Sequence, residues 1–165
     1  MEKGTEKRKV SLRPAEEKDC ALIWRWRNDE STRIWFGDTA PIPYQDHKKW
    51  FFNKLNSSDT QILIVLNEES KEIGQVRFHL ISSRTAEIRV IIDPAERGKG
   101  YGSSAIKASC EYAFKELGVE EIIAYIKKEN EPSIKAFIKA GFTNLGLKDF
   151  GMIRSIEMVL KREQE

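Results

Sequence analysis

Three glycines alternate along the short segment 97–102, which reads Arg-Gly-Lys-Gly-Tyr-Gly. An apolar run ends just before this segment, and a helical pattern starts at Ser103. Glycine permits positive φ angles and close backbone approach, so the N–H groups of the turn and of the helix start can converge on one anion. The helix dipole favours negative charge at the same point, and Arg97 and Lys99 add cations. The segment therefore predicts a pyrophosphate site.

The spacing of the glycines does not match either of two common phosphate-binding motifs. A dinucleotide fingerprint requires G-x-G-x-x-G after the first strand of a βαβ unit, and a P-loop requires G-x-x-x-x-G-K-[ST]. Gly98, Gly100 and Gly102 alone would also fit an ordinary strand-to-helix turn. A second feature is needed to specify the ligand.

Hydrophobic periodicity and turn residues predict the elements that position this turn. The predicted helices are 16–28, 44–55, 103–117 and 131–140, and the predicted strands are 10–14, 61–66, 72–81, 85–92, 121–126, 143–147 and 153–160. The three strands between residues 61 and 92 are joined by short polar turns, which is typical of an antiparallel meander. The whole order predicts one α+β domain over residues 1–165, with a single mixed sheet.

Composition excludes several functional classes. The chain has 165 residues, which suits one domain, and a formal charge of +2, which predicts neither nucleic-acid nor membrane binding. Cys20 and Cys110 are too few for a disulfide framework, and no Cys/His spacing predicts a metal site. The polar N-terminus does not resemble a signal peptide, and no apolar run is long enough to span a membrane. We expect a soluble cytoplasmic protein.

A second motif follows about thirty residues after the glycine turn. Segment 130–142 reads N-x-x-S-x-x-x-F-x-x-x-G-F, and Arg97, Gly100 and Gly102 occupy the fixed positions of [QR]-x-x-G-x-[GA]. Together these segments resemble the two motifs of the GNAT family of N-acetyltransferases, and the predicted order of elements matches that family. The resemblance implies a GNAT fold: a mixed, mostly antiparallel sheet of six to seven strands with a V-shaped splay, flanked by about four helices.

The resemblance further implies an acyltransferase that uses acetyl-CoA. The pantetheine arm would pair with the backbone of the strand before the turn, and the strand around 122–125 would splay away from it. Because the acceptor amine attacks the thioester directly, no nucleophilic side chain is required. The residues implied to contact acetyl-CoA are Val90, Ile91, Ile92, Arg97, Gly98, Lys99, Gly100, Tyr101, Gly102, Ser103, Asn130, Ser133 and Phe137.

Two proton transfers remain to be assigned. Glu87 is our candidate base, because many relatives carry a glutamate on this strand, although it could instead be a surface or ion-paired residue. His79 on the neighbouring strand is the second candidate, with a structural role as its alternative. Relatives commonly carry a proton-donating tyrosine four residues before the Gly-Phe pair, where this chain has Phe137. Ser133, Tyr125 or a water would then donate the proton, or the thiolate would leave unassisted.

The N-terminal third, rich in tryptophan and arginine, should shape the acceptor pocket. It resembles the pseudaminic-acid pathway amino-sugar acetyltransferases, and shares features with ribosomal-protein alanine acetyltransferases. The candidate acceptor-binding residues are Arg27, Asn28, Trp35 and His47, although the tryptophans also suit a hydrophobic core. We expect a small-molecule amine acceptor, the 4-amino group of a nucleotide-linked amino sugar, and a monomer or homodimer. The alternatives are a protein N-terminus, a polyamine, which a strongly acidic pocket would favour, and a non-catalytic acyl-CoA-binding module.

Overall fold

A computed structural model describes residues 8–36, 39–150 and 152–164 of the chain, with the side chain of Phe150 excepted. Its strands form one seven-stranded sheet with the order β1-β2-β3-β4-β5-β7-β6. The strands are β1 Ser11–Pro14, β2 Thr60–Leu66, β3 Glu72–Leu80, β4 Thr85–Ile92, β5 Glu121–Lys127, β6 Thr143–Phe150 and β7 Ile153–Lys161. Only the pairing of β4 with β5 is parallel among these described strands. The predicted α+β fold with one mixed sheet is confirmed.

The described part of the chain contains five α-helices where about four were expected. They are α1 Cys20–Asn28, α2 Glu30–Arg33, α3 Tyr44–Leu55, α4 Tyr101–Tyr112 and α5 Glu131–Lys139. The extra helix is α2, a single turn that follows α1 directly. Asp29 separates the two because its backbone is extended (φ −60°, ψ 135°), and its carboxylate accepts a hydrogen bond of 3.0 Å from the N–H of Ser31. This is a side-chain cap on a new helix start.

Two predicted helix boundaries differ from the structure. The helix predicted from residue 16 starts with a 3₁₀ turn at Glu17–Asp19, and α1 begins only at Cys20. The helix predicted from Ser103 to residue 117 begins two residues earlier, because Gly100 adopts a left-handed conformation and α4 starts directly after it. Its last five residues form a π turn that ends at Gly118, where a left-handed conformation (φ 68°) stops the helix, as is typical of glycine.

β4 and β5 separate after a short paired segment. Thr85, Ala86 and Glu87 pair with residues 121–123, whereas residues 88–92 of β4 have no partner on β5 among the described residues. On its other side β4 pairs with β3 along almost its whole length. The predicted V-shaped splay is therefore present, and its apex lies next to Glu87.

Two apolar clusters cover opposite faces of the sheet. α4 and α5 pack on one face, where Ala86 and Ile88 of β4 are buried. α1 and α3 pack on the other face, where Ile91 is buried. Successive strand residues point to opposite faces, so Glu87 and Arg89 share the face of Ile91. The sequence left open which face of the sheet the Glu87 side chain lies on, and these contacts resolve that question.

Several sequence expectations concern metals, thiols and membranes. Cys20 and Cys110 are both buried and free, and burial raises the pKa of the Cys110 thiol. No cluster of three or more potential metal ligands occurs among the described residues. None of the described helices combines the length and the apolar character that a membrane span requires.

Candidate functional site

The glycine turn connects β4 to α4 on one side of the splay. Gly98 and Gly100 have φ angles of 75° and 87°, which side chains rarely tolerate. A Cβ atom at Gly98 would meet nothing within 4 Å, and one at Gly100 would meet only the Arg8 side chain, at 3.6 Å. No side chain of the described residues caps the start of α4. Because the first N–H groups of a helix lack partners within the helix, this open turn fits an anionic ligand.

The two cations predicted at the turn have protein partners in this structure. Arg97 donates to the backbone oxygen of Ile92 and to the hydroxyls of Ser31 and Thr32 in α2. Lys99 lies 3.1 Å from the carboxylate of Glu96. Both cations must therefore leave or share these partners to contact a pyrophosphate.

Arg8 is a third cation at the turn, and the sequence did not predict it there. The Nε of Arg8 donates to the backbone oxygen of Lys99 at 2.9 Å, and its guanidinium carbon lies 5.4 Å from the Tyr101 ring centroid. The polar N-terminal segment carries no periodic signal that could place Arg8 there. The Tyr101 ring is itself buried, and its hydroxyl donates to Glu68, so this side chain is occupied by the protein.

The second motif packs against the turn from α5. The Asn130 side chain accepts a hydrogen bond of 3.4 Å from the N–H of Ser133 and so caps α5. Phe137 is 3% exposed and contacts Phe142 edge to face, with 5.0 Å between ring centroids. A Cβ at Gly102 would lie 3.7 Å from Ala136, which shows how closely the two helices approach. Phe137 is therefore a core residue of the cofactor face.

A groove lies on the opposite face of the sheet, below α1 and α3. It consists of two hollows of about 250 and 390 Å³ that share Trp50, Arg77 and Arg89. The smaller hollow also contains Lys54, Thr60, His79 and Glu87, and the larger also contains Arg27, Phe36, Asp46, His47 and Gln75. Both candidate bases thus line one hollow beside the apex of the splay.

Glu87 and His79 face each other across β3 and β4. They are register partners, and Glu87 also belongs to the last parallel pair with Ile123. Oε1 of Glu87 accepts a hydrogen bond of 3.1 Å from Arg89, and the Glu87 side chain is only 18% exposed. The ring of His79 lies 3.9 Å from Asp59 and is half exposed. Glu87 is the more enclosed of the two and the nearer to the splay.

The four predicted acceptor residues divide between the groove and its frame. The Arg27 guanidinium stacks 3.8 Å above the Phe36 ring centroid and lines the groove. His47 also lines it, but is buried and donates from Nε2 to the Cys20 oxygen at 2.9 Å. Asn28 accepts from the N–H of Ile42 and so holds the loop before α3. Trp35 is not among the residues that line either hollow.

Gln75, Arg77 and Arg89 line the groove together with Trp50 of α3, although the sequence did not identify these three strand residues as acceptor residues. The alternation of β3 and β4 contained a signal for the three, since residues two apart share a face. That signal became usable only with the register, which pairs Arg77 with Arg89.

The helix α2 and the residues after it connect the two arms of the splay. Arg97, from the loop after β4, reaches Ser31 and Thr32. Lys127, at the end of β5, donates from Nζ to the backbone oxygen of Ile34 at 2.9 Å. The segment that shapes the acceptor groove is therefore fastened to the cofactor turn on one side and to β5 on the other.

Comparison with known proteins adds to this geometry. A family profile described as an acetyltransferase (GNAT) domain matches residues 9–143. The chain belongs to the GNAT acetyltransferase family. It is an acyltransferase with acetyl-CoA as co-substrate, and the open glycine turn is compatible with that co-substrate.

Its relatives use different acceptors. YwnH of Bacillus subtilis (strain 168), provisionally named a phosphinothricin acetyltransferase, is 31% identical over 145 residues, covering 84% of this chain and 86% of YwnH. The spermidine N(1)-acetyltransferase of Escherichia coli (strain K12) is 29% identical over 139 residues, covering 81% and 73%. Spermidine N-acetyltransferase from Vibrio cholerae, solved with CoA and spermine, superposes with a TM-score of 0.83 at 20% identity, covering 92% and 95%. The family therefore establishes the reaction and leaves the acceptor open.

Proposed function

We propose that this acetyltransferase acetylates the primary amine of an anionic small molecule, a nucleotide-linked amino sugar. The observation that carries the proposal is the charge of the groove. Four cationic side chains line its two hollows, Arg27, Lys54, Arg77 and Arg89, against the two carboxylates of Asp46 and Glu87. A concave surface with this excess of positive charge attracts anions and repels cations.

The groove is unsuited to two alternative acceptors. A polyamine such as the spermine bound by the Vibrio cholerae relative is a polycation, which the arginines would repel. A protein N-terminus would need an open channel between the Trp35 segment and the last strands. Lys127 instead joins the Trp35 segment to the end of β5 by its hydrogen bond to the Ile34 oxygen. Both features favour a compact anionic acceptor.

Aromatic rings and guanidinium groups occur together in the groove. Arg77 lies over the Trp50 ring, with 4.9 Å from its guanidinium carbon to the ring centroid, and Arg27 lies over Phe36. Rings of this kind stack on a base or a sugar face, and guanidinium groups pair with phosphate oxygens. A nucleotide-linked sugar offers all three partners in one molecule.

Within this proposal Glu87 accepts the proton of the attacking amine. The Glu87 carboxylate lies on the acceptor face beside the apex, and Arg89 holds its Oε1 in place. Acetyl-CoA supplies the activated thioester. The edge of β4 from Ile88 onward has no strand partner on the β5 side, so a backbone N–H there is available to the thioester carbonyl.

Tyr125 is the proposed proton donor. On β5 the residues Ile122, Ala124 and Ile126 are buried towards α4 and α5, so alternation places Tyr125 on the face of Glu87. Ser133 lies instead on α5, next to its cap. The Tyr125 hydroxyl, on the acceptor side of the splay, can donate the proton that Phe137 cannot.

An acceptor comparison tests the proposal. The protein is incubated with acetyl-CoA and, separately, a UDP-linked 4-amino sugar, spermidine and an N-terminal peptide, and the release of free thiol is followed. We expect kcat/KM for the UDP-linked amino sugar to exceed that for spermidine by about 100-fold or more. Faster turnover of spermidine or of the peptide would contradict the proposal. Absence of thiol release with every amine would indicate a non-catalytic acyl-CoA-binding module.

A further inference from the structure

Arg77 differs from the other arginines around the groove. It lies in the middle of β3, half-buried, with its guanidinium over the Trp50 ring and facing the groove. Arg89 is paired with Glu87, and Arg97 donates to hydroxyls and a carbonyl. In the described part of the chain no carboxylate and no hydrogen-bond acceptor pairs with Arg77. It is a cation that lines the groove without an anionic partner among the described residues.

The charges around Arg77 make this arrangement costly. Burial and the neighbouring guanidinium of Arg89 lower the pKa of Arg77 to about 10, with Arg27 acting in the same direction. Glu87 raises the pKa of Arg77, but its Oε1 already accepts a hydrogen bond from Arg89. Arg77 therefore stays charged at neutral pH. A partly desolvated charge without a partner is unfavourable, and a bound anion would lower that penalty.

Gln75 lies two residues before Arg77 on the same face of β3. Among the described residues, its side-chain oxygen lacks a hydrogen-bond donor, whereas Arg77 lacks an acceptor. The Gln75 side chain is 6% exposed and lines the larger hollow. Its carboxamide oxygen is buried and accepts no hydrogen bond from the described residues. Arg77 can only donate hydrogen bonds, and this oxygen can only accept them. The pair thus calls for a ligand that carries an anionic acceptor and a donor close together.

We propose that Arg77 and Gln75 form a subsite for a phosphate ester, with the phosphate oxygens on Arg77 and a hydroxyl or N–H of the same ligand on Gln75. A sugar phosphate meets both requirements, whereas a polyamine offers only donors and a simple anion only acceptors. This subsite rests on the proposed function, in which the phosphate belongs to the diphosphate of the nucleotide-linked amino sugar. It makes Arg77 the residue that determines acceptor specificity.

The spacing along the strands agrees with this assignment. Arg77 is the register partner of Arg89, and His79 that of Glu87, so the subsite and the proposed base are two residues apart. Two residues of a strand span about 7 Å. One sugar ring fits between these points, with its 4-amino group at Glu87 and its anomeric phosphate at Arg77.

Binding of UDP to the CoA-saturated protein tests the subsite without any turnover. Saturation with CoA keeps UDP out of the cofactor turn, and calorimetry gives the dissociation constant. We expect Arg77→Met to weaken UDP binding by about 10- to 100-fold, and Arg77→Lys to restore part of the loss. Gln75→Leu should weaken UDP binding by less. Inorganic phosphate should compete with UDP in a way that depends on Arg77. Any competition by uridine should not depend on Arg77. Arg162→Met, which removes an exposed arginine beyond β7, is the matched control.

Thermal unfolding separates a ligand-binding role from a structural one. Removing a partly desolvated charge that has no partner should leave the melting temperature of Arg77→Met unchanged or higher, whereas loss of a structural arginine would lower it. Equal UDP affinity in Arg77→Met and wild type overturns the subsite, even if UDP-linked amino sugars are acetylated. Arg77-dependent UDP binding without acetylation of any such sugar supports the subsite and contradicts the proposed function.

Discussion

In the proposed function, the two faces of β4 bind their ligands by different means. On the cofactor face, a turn of six consecutive residues and the start of α4 provide backbone N–H groups. On the acceptor face, the groove takes side chains from α1, α3, β3 and β4, which are far apart in the sequence. Backbone recognition is local, so it leaves a motif. Side-chain recognition depends on register and packing, so its character emerges only in the folded chain.

The net charge of the chain and the local charge of the groove differ in the same way. The whole chain carries only +2, which argued against a strongly attractive field. Folding nevertheless collects Arg27, Arg77 and Arg89 around one groove. A small net charge therefore does not exclude a strongly charged site, because the distribution of charge is set by the tertiary structure.

The largest effect should come from breaking the local, backbone-based face. Gly100→Glu would place a carboxylate at the start of α4, where the pyrophosphate is predicted to bind, and its φ of 87° adds strain. We expect the affinity for acetyl-CoA, measured by calorimetry, to fall by about 100-fold or more.

Gly118→Glu is the matched control for that variant. Gly118 has a similar left-handed conformation (φ 68°) at the opposite end of the same helical segment, and a Cβ there would meet nothing within 4 Å. Both variants carry a backbone penalty of about 1–2 kcal/mol. If Gly118→Glu weakened acetyl-CoA binding as much as Gly100→Glu, the loss would reflect strain and the anion site would be wrongly placed.

The next effect concerns the acceptor face at the apex. Glu87→Gln keeps the size of the side chain and removes its capacity to accept a proton. We expect kcat to fall by about 100-fold, and the rate to stop declining as the pH is lowered. Steady-state kinetics over a pH series would measure both. An unchanged pH profile would show that Glu87 is only the ion-pair partner of Arg89, and Glu116→Gln, at an exposed helical position, should behave like wild type.

The sequence alone predicted the cofactor face in more detail than the acceptor face. The glycine turn, the left-handed Gly118 and the antiparallel meander follow from local rules of turn and strand chemistry, and the splay from the family resemblance. Helix α2 was missed because a single turn has too few residues for a periodic pattern. His47 was predicted as an acceptor ligand and lines the larger hollow, but its hydrogen bond to Cys20 links residues 27 positions apart, which no local pattern shows.

A smaller effect tests which face supplies the leaving proton. Tyr125→Phe removes the phenol on the acceptor side, whereas Ser133→Ala removes a hydroxyl on the cofactor side and leaves the Asn130 cap, which uses the backbone of residue 133. We expect Tyr125→Phe to lower kcat by about 10-fold, because a thiolate with a pKa of about 8.5 needs little assistance. Ser133→Ala should match wild type. The reverse order of effects in single-turnover kinetics would move the proton donor to the cofactor face.

The smallest effect is on stability. It tests whether His47, in the frame of the groove, makes the stability of the fold depend on pH. Burial, with a smaller contribution from Arg27, lowers the pKa of His47, while its hydrogen bond to Cys20 acts the other way. Since the folded state then binds the proton less readily than the unfolded state, its stabilisation is complete above pH of about 6.5 and is lost as the pH falls below that value. The melting temperature should therefore drop between pH 7.5 and 5.5.

His47→Gln, which retains an N–H donor for the Cys20 oxygen, should show a smaller drop over this range. His79→Gln serves as the comparison, because His79 is the other histidine of the chain and is half exposed; it should keep the wild-type drop. A wild-type drop in His47→Gln would mean that another group controls the acid limb of stability. The buried hydrogen bond of His47 to Cys20 would then hold the frame of the groove without making its stability depend on pH.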